Sequence, residues 1–228
     1  MGTERSPRSQ QTSMKTQIFT VDPGRMPQEI ILAARDILAQ GGIMVFPTDT
    51  VYGLGCDSRS RAAARRIYDL KRRLPSKPSP ILVADLDMVR GLALELPPCF
   101  EILAAKFWPG PLTLVLRVRN EFPPEILGPH QTLGMRLPDV PWIRELAGGL
   151  GAPLLATSAN ISGEREITDA AEVSAAFRDK VDLIIDGGPS AGAVPSTVVD
   201  LTSGEPRILR QGSVSGQRIL ESLAGQKC

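Results

Sequence analysis

Apolar residues recur along the chain in two alternating patterns, one typical of helices and one typical of strands. From Gln28 to Gln40 they return every three or four residues, and Gly41 and Gly42 follow where a helix is expected to stop. The apolar run at 43–46 comes next, bounded by glycine and proline as a buried strand often is. The pattern therefore predicts a helix followed by a strand.

The same alternation continues to the end of the chain. A second helix is predicted over 60–72, because Ala63, Ile67 and Leu70 share one helical face. Further strands, rich in Val, Ile, Leu and Thr, are predicted at 80–84, 112–118, 153–158, 182–186 and 196–201. Further helices are predicted at 86–95, 98–107, 140–148, 169–178 and 215–224. Helices alternating with strands indicate a single α/β domain.

This domain is expected to span 15–228, because residues 1–14 are polar and predict a disordered N-terminal tail. The chain has no apolar run near the roughly 20 residues that a membrane span needs, and no apolar segment of a signal peptide. We therefore expect a soluble, cytoplasmic protein with no membrane partner.

The composition and the missing motifs exclude several classes of binding site. The three cysteines are widely spaced and His130 is the only histidine, so neither a disulfide framework nor a Cys/His metal site is expected. The sequence also lacks GxxxxGK[ST] and a GxGxxG that opens a helix. Any nucleotide must therefore be held by motifs scattered over several strand ends.

Three polar motifs each contain two chemically active residues spaced two apart. These pairs are Thr48 and Thr50, Lys71 and Arg73, and Ser158 and Asn160. In extended backbone such pairs face the same way, so each pair is expected to point into one cavity. The first and third follow predicted strands, at the ends where α/β sheets commonly bind ligands. Gly53 and Gly55 are expected to permit tight turns and close approach of backbone to a ligand.

The densest cationic stretch is 59–77, with eight Lys or Arg residues against one acid. Arg61 and Arg65 fit a solvated helix face. Lys71, Arg73 and Lys77 lie beside a proline-rich connector, and a fixed group of such residues suits a triphosphate. Taken singly, the first motif is better explained by a loop whose hydroxyls cap a helix at Ser58 or Ser60. The third motif is explained equally well by an ordinary loop between a strand and a helix.

The ordered set of motifs is more specific than any one of them. PTDTVYGLG, KRR with a following KP, WPGPLT, GMRLP, TSANISG, PSTVVD and RILRQG occur in that order over roughly 16–213. This set resembles the YrdC-like threonylcarbamoyl-AMP synthases. The resemblance implies a twisted mixed α/β sheet with flanking helices and a concave cationic cavity. One departure is Leu74, where the family usually has proline.

The resemblance also implies an activity and a set of roles. L-threonine, bicarbonate or CO2 and ATP with Mg²⁺ would give threonylcarbamoyl-AMP and pyrophosphate, for modification of a tRNA adenosine, with tRNA or a threonylcarbamoyl-transferase complex downstream. The implied catalytic residues are Lys71, Arg73, Ser158 and Asn160. The implied threonine contacts are Thr48, Arg117 and Ser196, and the implied ATP contacts are Lys71, Arg73, Thr113, Ser158 and Arg210. Either Arg117 or Arg136 is implied to hold a carboxylate or phosphate.

Two other functions stay open on sequence alone. An RNA-binding or ribosome-assembly module could use the cationic stretch on a phosphate backbone. The net charge of +1 and the aromatic content of 4% weigh against it, because single-stranded RNA usually stacks on aromatic side chains. A carbamoyl-transfer domain of hydrogenase maturation is the second alternative, although its usual cysteine-rich zinc modules are missing.

Overall fold

A computed structural model of the protein describes residues 15–22, 24–73, 78–119, 121–190 and 194–225. The predicted tail at 1–14 and Lys77 lie outside these ranges. No helix within them is both long enough and apolar enough to cross a bilayer.

A ten-stranded mixed sheet forms the centre of the described structure. Its strands are β1 Gln17–Thr20, β2 Met44–Phe46, β3 Gly53–Asp57, β4 Ile81–Leu82, β5 Leu112–Arg117, β6 Thr132–Arg136, β7 Leu154–Ser158, β8 Leu183–Asp186, β9 Thr197–Asp200 and β10 Arg207–Arg210. Their spatial order is β1-β8-β2-β3-β7-β4-β6-β5-β9-β10. The pairs β1/β8, β2/β8, β4/β6 and β5/β9 are parallel, and the other pairs are antiparallel. Strand ends and strand beginnings therefore meet at the same edge of the sheet.

Helices cover both faces of this sheet. They are α1 Gln28–Ala39, α2 Arg61–Leu70, α3 Leu86–Leu92, α4 Pro98–Phe107, α5 Pro141–Leu150, α6 Ala170–Phe177 and α7 Gly216–Leu223. Side-chain caps begin several of them: the Ser60 hydroxyl accepts a hydrogen bond from the Ala63 amide, and Asp169 accepts from two amides of α6. Gly151, with φ of 64°, ends α5 in the left-handed conformation that glycine tolerates best.

The strand pattern divides the apolar side chains into two cores. Met44, Phe46, Leu154 and Ala156 pack with α1 and α5, whereas their neighbours Val45 and Leu155 pack in the larger core with the remaining helices. Successive residues of a strand point to opposite faces, so both faces of the central strands are buried. This explains why the central strands are continuous apolar runs rather than alternating ones.

The elements predicted from periodicity are confirmed, with shifts of a few residues at their ends. The predicted strand at 80–84 is shorter than expected, because only Ile81–Leu82 pairs with its neighbours. The strands β1, β3, β6 and β10 were not predicted. The mixed α/β fold with flanking helices is as expected.

The expectation that Gly53 and Gly55 form tight turns is wrong. Both lie in β3, paired between β2 and β7, and neither has a positive φ. A Cβ at Gly53 would lie 2.9 Å from Cζ of Phe46, and one at Gly55 would lie 2.6 Å from the Leu155 carbonyl oxygen. The two glycines therefore leave room for the Phe46 ring and for the neighbouring strand.

Gly55→Ala tests this packing role. We expect the free energy of unfolding to fall by about 1–3 kcal/mol, because the added methyl group must displace backbone in the middle of the sheet. Urea denaturation of the purified variant measures the effect. Gly91→Ala is the matched control: it lies in α3 with nothing within 4 Å of an added Cβ, so stability should stay equal or rise. Equal stability of both variants would contradict the packing role.

Candidate active site

The sheet topology brings distant motifs to one face of the sheet. Thr48 follows β2, Gly53 begins β3 and Ser158 ends β7, so these three lie at one edge. Because β6 runs antiparallel to β7, the opposite edge carries Arg136 at the end of β6, Thr113 near the start of β5, Ser196 just before β9 and Arg210 at the end of β10. A cleft across this face joins the two groups. Leu82 and Ala156 line the resulting cleft and also belong to the core beneath α1 and α5. The cleft therefore opens on that face of the sheet, beside the two helices.

The cleft has a cavity volume of about 120 Å³ and opens to solvent at its mouth. Its polar lining comprises Thr48, Asp49, Thr50, Tyr52, Arg73, Thr113, Arg136, Thr157, Ser158, Glu166, Ser196 and Arg210. Six of the implied site residues, Thr48, Arg73, Thr113, Ser158, Ser196 and Arg210, are thus brought together. Lys71, Asn160 and Arg117 are not part of this lining.

Lys71 lies behind the cleft and organises its wall. Its side chain is only 1% exposed. The ammonium group donates to the carbonyl oxygen of Ser158, to that of Asn160 at 2.7 Å and to Asn160 Oδ1 at 2.9 Å. Its three protons therefore match three acceptors. Burial, together with the neighbouring charge of Arg73, lowers the pKa of Lys71 to about 8.

The Ser158 and Asn160 pair is held by this contact. Ser158 Oγ donates to Asn160 Oδ1 at 2.7 Å, and Asn160 Nδ2 donates to the Glu164 carbonyl oxygen at 2.7 Å. Asn160 is 8% exposed. Ser158 faces the cleft while Asn160 ties the turn after β7 to the end of α2. Ser158 therefore lines the cavity, whereas Asn160 supports the wall behind it.

Lys71 and Arg73 also point in different directions, contrary to the expectation of a shared face. That expectation assumed extended backbone, but Lys71 is helical at the end of α2 and Arg72 has a positive φ of 50°. The chain turns there, so Arg73 reaches the cleft and donates from Nη2 to the Pro78 carbonyl oxygen at 3.0 Å. Burial lowers the pKa of the Arg73 guanidinium, which nevertheless stays charged.

A buried ion pair shapes the segment after β2. Arg136 is 6% exposed and pairs with Asp49, donates from Nε to the Gly110 carbonyl oxygen at 3.0 Å and from Nη1 to Thr50 Oγ1 at 3.3 Å. Thr48 Oγ1 donates to the Val51 carbonyl oxygen at 2.7 Å and lies 3.0 Å from Thr50 Oγ1. Since Thr48 has a single hydroxyl proton, Thr50 must donate to Thr48. Arg136 therefore orients Thr50 directly and orients Thr48 through Thr50.

The opposite wall is a second hydrogen-bonded group. The hydroxyls of Thr113 and Ser196 lie 2.8 Å apart, and Arg210 Nη2 donates to the Ser196 carbonyl oxygen at 2.8 Å and to its hydroxyl at 3.2 Å. Gly134 of β6 makes room for Thr113, because a Cβ there would lie 3.0 Å from the Thr113 methyl group. Burial lowers the pKa of Arg210.

Arg117 lies away from the cleft. It is four residues beyond Thr113 on β5, about 13 Å along an extended strand, and its guanidinium lies 3.8 Å from a Glu95 carboxylate oxygen. Its side chain is half exposed. The geometry therefore favours Arg136, not Arg117, as the second arginine near a bound carboxylate or phosphate.

Asp49, Tyr52 and Glu166 are among the polar lining residues that the sequence analysis missed. Asp49 lies inside the first motif but only its threonines were selected. Tyr52 was not considered; its buried phenol donates to the Gly188 carbonyl oxygen at 2.6 Å and so ties this segment to the end of β8. Glu166 lies between β7 and α6, and no nearby motif marks it. Of these three, only Asp49 could have been selected from the sequence, because it lies between the two selected threonines.

The cationic face of α2 is largely paired. Arg61 and Arg65 both contact Glu125, and Arg66 contacts Asp182. Arg59, just before the helix, contacts Asp57. These carboxylates reduce the charge that the face presents to a polyanion. Among the described residues, no group of three or more His, Cys, Asp or Glu side chains could hold a metal ion.

Comparison with known proteins identifies the family. The Sua5_yciO_yrdC family model, described as telomere recombination, matches residues 36–212. The chain belongs to this family. Threonylcarbamoyl-AMP synthase of Pyrococcus abyssi is 38% identical over 202 residues, covering 89% of this chain and 59% of that protein. The chain thus spans less than two thirds of this relative. A family member of Marinobacter nauticus with the same name is 34% identical, covering 78% of this chain and 93% of its own.

Solved structures of the family agree with the fold. Sua5 of P. abyssi, complexed with L-threonine, superposes with a TM-score of 0.86 at 37% identity, covering 93% of this chain and 62% of that chain. YciO of E. coli superposes with a TM-score of 0.82 at 31% identity, covering 90% of this chain and 100% of that chain. The family fold therefore extends over nearly all of the chain.

Lys71→Met tests the supporting role of the buried ammonium group. We expect the free energy of unfolding to fall by about 1–3 kcal/mol, because the variant keeps the aliphatic stem but removes the ammonium donor from the buried main-chain carbonyl oxygen of Asn160. Urea denaturation measures the loss. Lys106→Met removes an exposed ammonium group from α4 and should change stability little. If the two variants were equally stable, Lys71 would not support the wall of the cleft.

Proposed function

We propose that this protein is an L-threonylcarbamoyl-AMP synthase, a nucleotidyltransferase that joins L-threonine, bicarbonate or CO2, and ATP. One observation carries the proposal: Thr48, Arg73, Ser158 and Arg210, from four distant stretches of the chain, line one cleft. Membership of the family and the names of its relatives support the same activity. The M. nauticus relative, nearly all of which this chain matches, supports an activity carried by a domain of this length.

The proposed reaction has two chemical steps. The neutral threonine amine first forms a bond to the carbon of CO2 or bicarbonate and becomes an N-carboxylate, releasing a proton in the first case and a water molecule in the second. That carboxylate then attacks the α-phosphate of ATP, a new oxygen–phosphorus bond forms, and the bond to pyrophosphate breaks. An anion attacks a polyanion here, so positive charge fixed in advance lowers the barrier.

Arg73 and Arg210 are our assignments for this positive charge. Both guanidinium groups line the cleft, and both are held by main-chain carbonyl oxygens, so little reorganisation is needed when phosphate arrives. Lys71 is assigned a positioning role, with Asn160, because its ammonium group contacts the main chain behind Ser158. Ser158 is assigned to the nucleotide.

The two substrate sites are proposed to adjoin at Thr113 and Ser196. Thr113 is assigned to ATP and Ser196 to threonine, and their hydroxyls are hydrogen-bonded to each other. Thr48 is the other proposed threonine contact, oriented through Thr50 by Arg136. Direct contact between the sites suits a reaction in which one substrate attacks the other without a covalent enzyme intermediate.

Mg²⁺ is proposed to enter with ATP as part of the substrate. It typically binds triphosphate oxygens and water with only one or two protein carboxylates. The product is a mixed anhydride that water destroys, so it must be passed on quickly. We propose transfer to a tRNA adenosine with the help of a threonylcarbamoyl-transferase partner.

Incubating the protein with ATP, Mg²⁺, bicarbonate and each amino acid in turn tests the proposed activity. We expect pyrophosphate release and an adenylate of the threonylcarbamoyl mass with threonine, and far less with amino acids that lack its hydroxyl. ATP cleavage driven by carbamoyl phosphate without threonine would instead indicate the carbamoyl-transfer function. Salt-sensitive RNA binding without threonine-dependent turnover would indicate the RNA-binding function.

Arg73→Ala tests the assignment of charge. We expect turnover to fall on the order of 10²-fold or more, since one preorganised charged contact to phosphate is lost. Pyrophosphate release measures it, and urea denaturation checks that the variant is folded. Arg65→Ala, which removes an exposed arginine paired with Glu125 on α2, should keep normal turnover. Near-normal pyrophosphate release by Arg73→Ala would reject the role.

A further inference from the structure

Glu166 lies in the cleft among the proposed phosphate contacts. It belongs to the segment between β7 and α6 and lines the same cavity as Arg73, Arg210 and Ser158. Its side chain is partly exposed. A carboxylate beside a site for a polyanion is unfavourable for binding, because like charges repel strongly where burial reduces the screening by water. The proposed reaction gives Glu166 no part.

The charges of the cleft show how much this carboxylate matters. Among the residues that the structure describes, three arginines and two carboxylates line it, so these side chains sum to a net charge of +1. One carboxylate, Asp49, is paired with the buried Arg136. The charge of Glu166 therefore partly offsets the charges of Arg73 and Arg210. Without Glu166, the net charge of these lining side chains would rise to +2.

Electrostatic coupling between Glu166 and its neighbours is consistent with this geometry. Burial lowers the pKa of Arg210, whereas the Glu166 carboxylate raises it. The same carboxylate raises the pKa of Lys71 against the larger effect of burial. Glu166 thus already supplies part of the negative charge that Arg210 would receive from a bound phosphate chain.

We infer that Glu166 acts as an internal anion that competes with phosphate and weakens the binding of pyrophosphate, so that this product leaves the cleft. The inference rests on the proposed function, because it concerns the leaving product of that reaction. A site with more positive charge would hold ATP more tightly but would also retain pyrophosphate, and product release limits many enzymes. Binding that is equally strong before and after reaction does not speed turnover.

The same segment offers a matched control. Glu164 lies two residues earlier, is exposed, and lines a neighbouring depression with Arg165 and Glu172 rather than the cleft. Its contacts within the segment are made by its main chain, which a side-chain change leaves intact. Glu164→Gln and Glu166→Gln therefore each remove one negative charge from the same loop. Only Glu166→Gln removes it from the cleft.

Calorimetric titration of inorganic pyrophosphate into the wild-type protein, Glu166→Gln and Glu164→Gln tests the inference. At low ionic strength we expect Glu166→Gln to bind pyrophosphate roughly three- to tenfold more tightly than wild type, and Glu164→Gln to match wild type. The difference in pyrophosphate affinity between Glu166→Gln and wild type should narrow in high salt, because salt screens the repulsion between the Glu166 carboxylate and pyrophosphate. In the threonine-dependent assay, added pyrophosphate should inhibit Glu166→Gln at lower concentrations than wild type.

Unchanged or weaker binding by Glu166→Gln would overturn the inference. Weaker binding only when Mg²⁺ is present would also overturn it, since the carboxylate would then help to hold the metal–pyrophosphate complex. In either case saturable binding to the wild type would leave the proposed function standing. If the wild-type protein did not bind pyrophosphate at all, the assignment of Arg73 and Arg210 to phosphate would fail as well, and the inference with it.

Discussion

A single buried ammonium group joins the end of α2 to the end of β7. Lys71 donates all three of its protons to the turn that contains Ser158 and Asn160, and the chain then reverses so that Arg73 enters the cleft. Burying a charge without partners is costly, so the group stabilises the structure only while all its acceptors are in place. The positions of Arg73 and Ser158 thus depend on one contact that the substrate would not touch.

The layered part of the fold could be predicted because burial on both faces leaves a plain signal. Met44–Phe46 and Leu183–Asp186 read as continuous apolar runs, and the helices show a clear apolar stripe. The strands that were missed lack such runs. In β3, glycines stand where the ring of Phe46 needs space, and β10 lies at the edge of the sheet with two arginines among its four residues. Tertiary packing, rather than local preference, determines both.

The site was predictable as a set of motifs but not as a set of orientations. Spacing by two correctly suggested that Thr48 and Thr50 act together. The same rule misplaced Lys71, since the backbone of Arg72 is left-handed and not extended. The cationic stretch suggested a surface for nucleic acid, but Glu125 and Asp182 come from distant segments to pair with its arginines. Such partners become visible only once the chain is folded.

The order of the strands in the sheet also constrains when the cleft can exist. Arg210 is carried by β10, which pairs with β9 at the edge of the sheet and follows the other nine described strands along the sequence. A nascent polypeptide emerging from the ribosome could already contain Thr48, Arg73 and Ser158 yet still lack one wall of the cavity. Completion of the pocket thus requires the docking of β10, so a chain cut or released before this strand would leave the cleft open on that side.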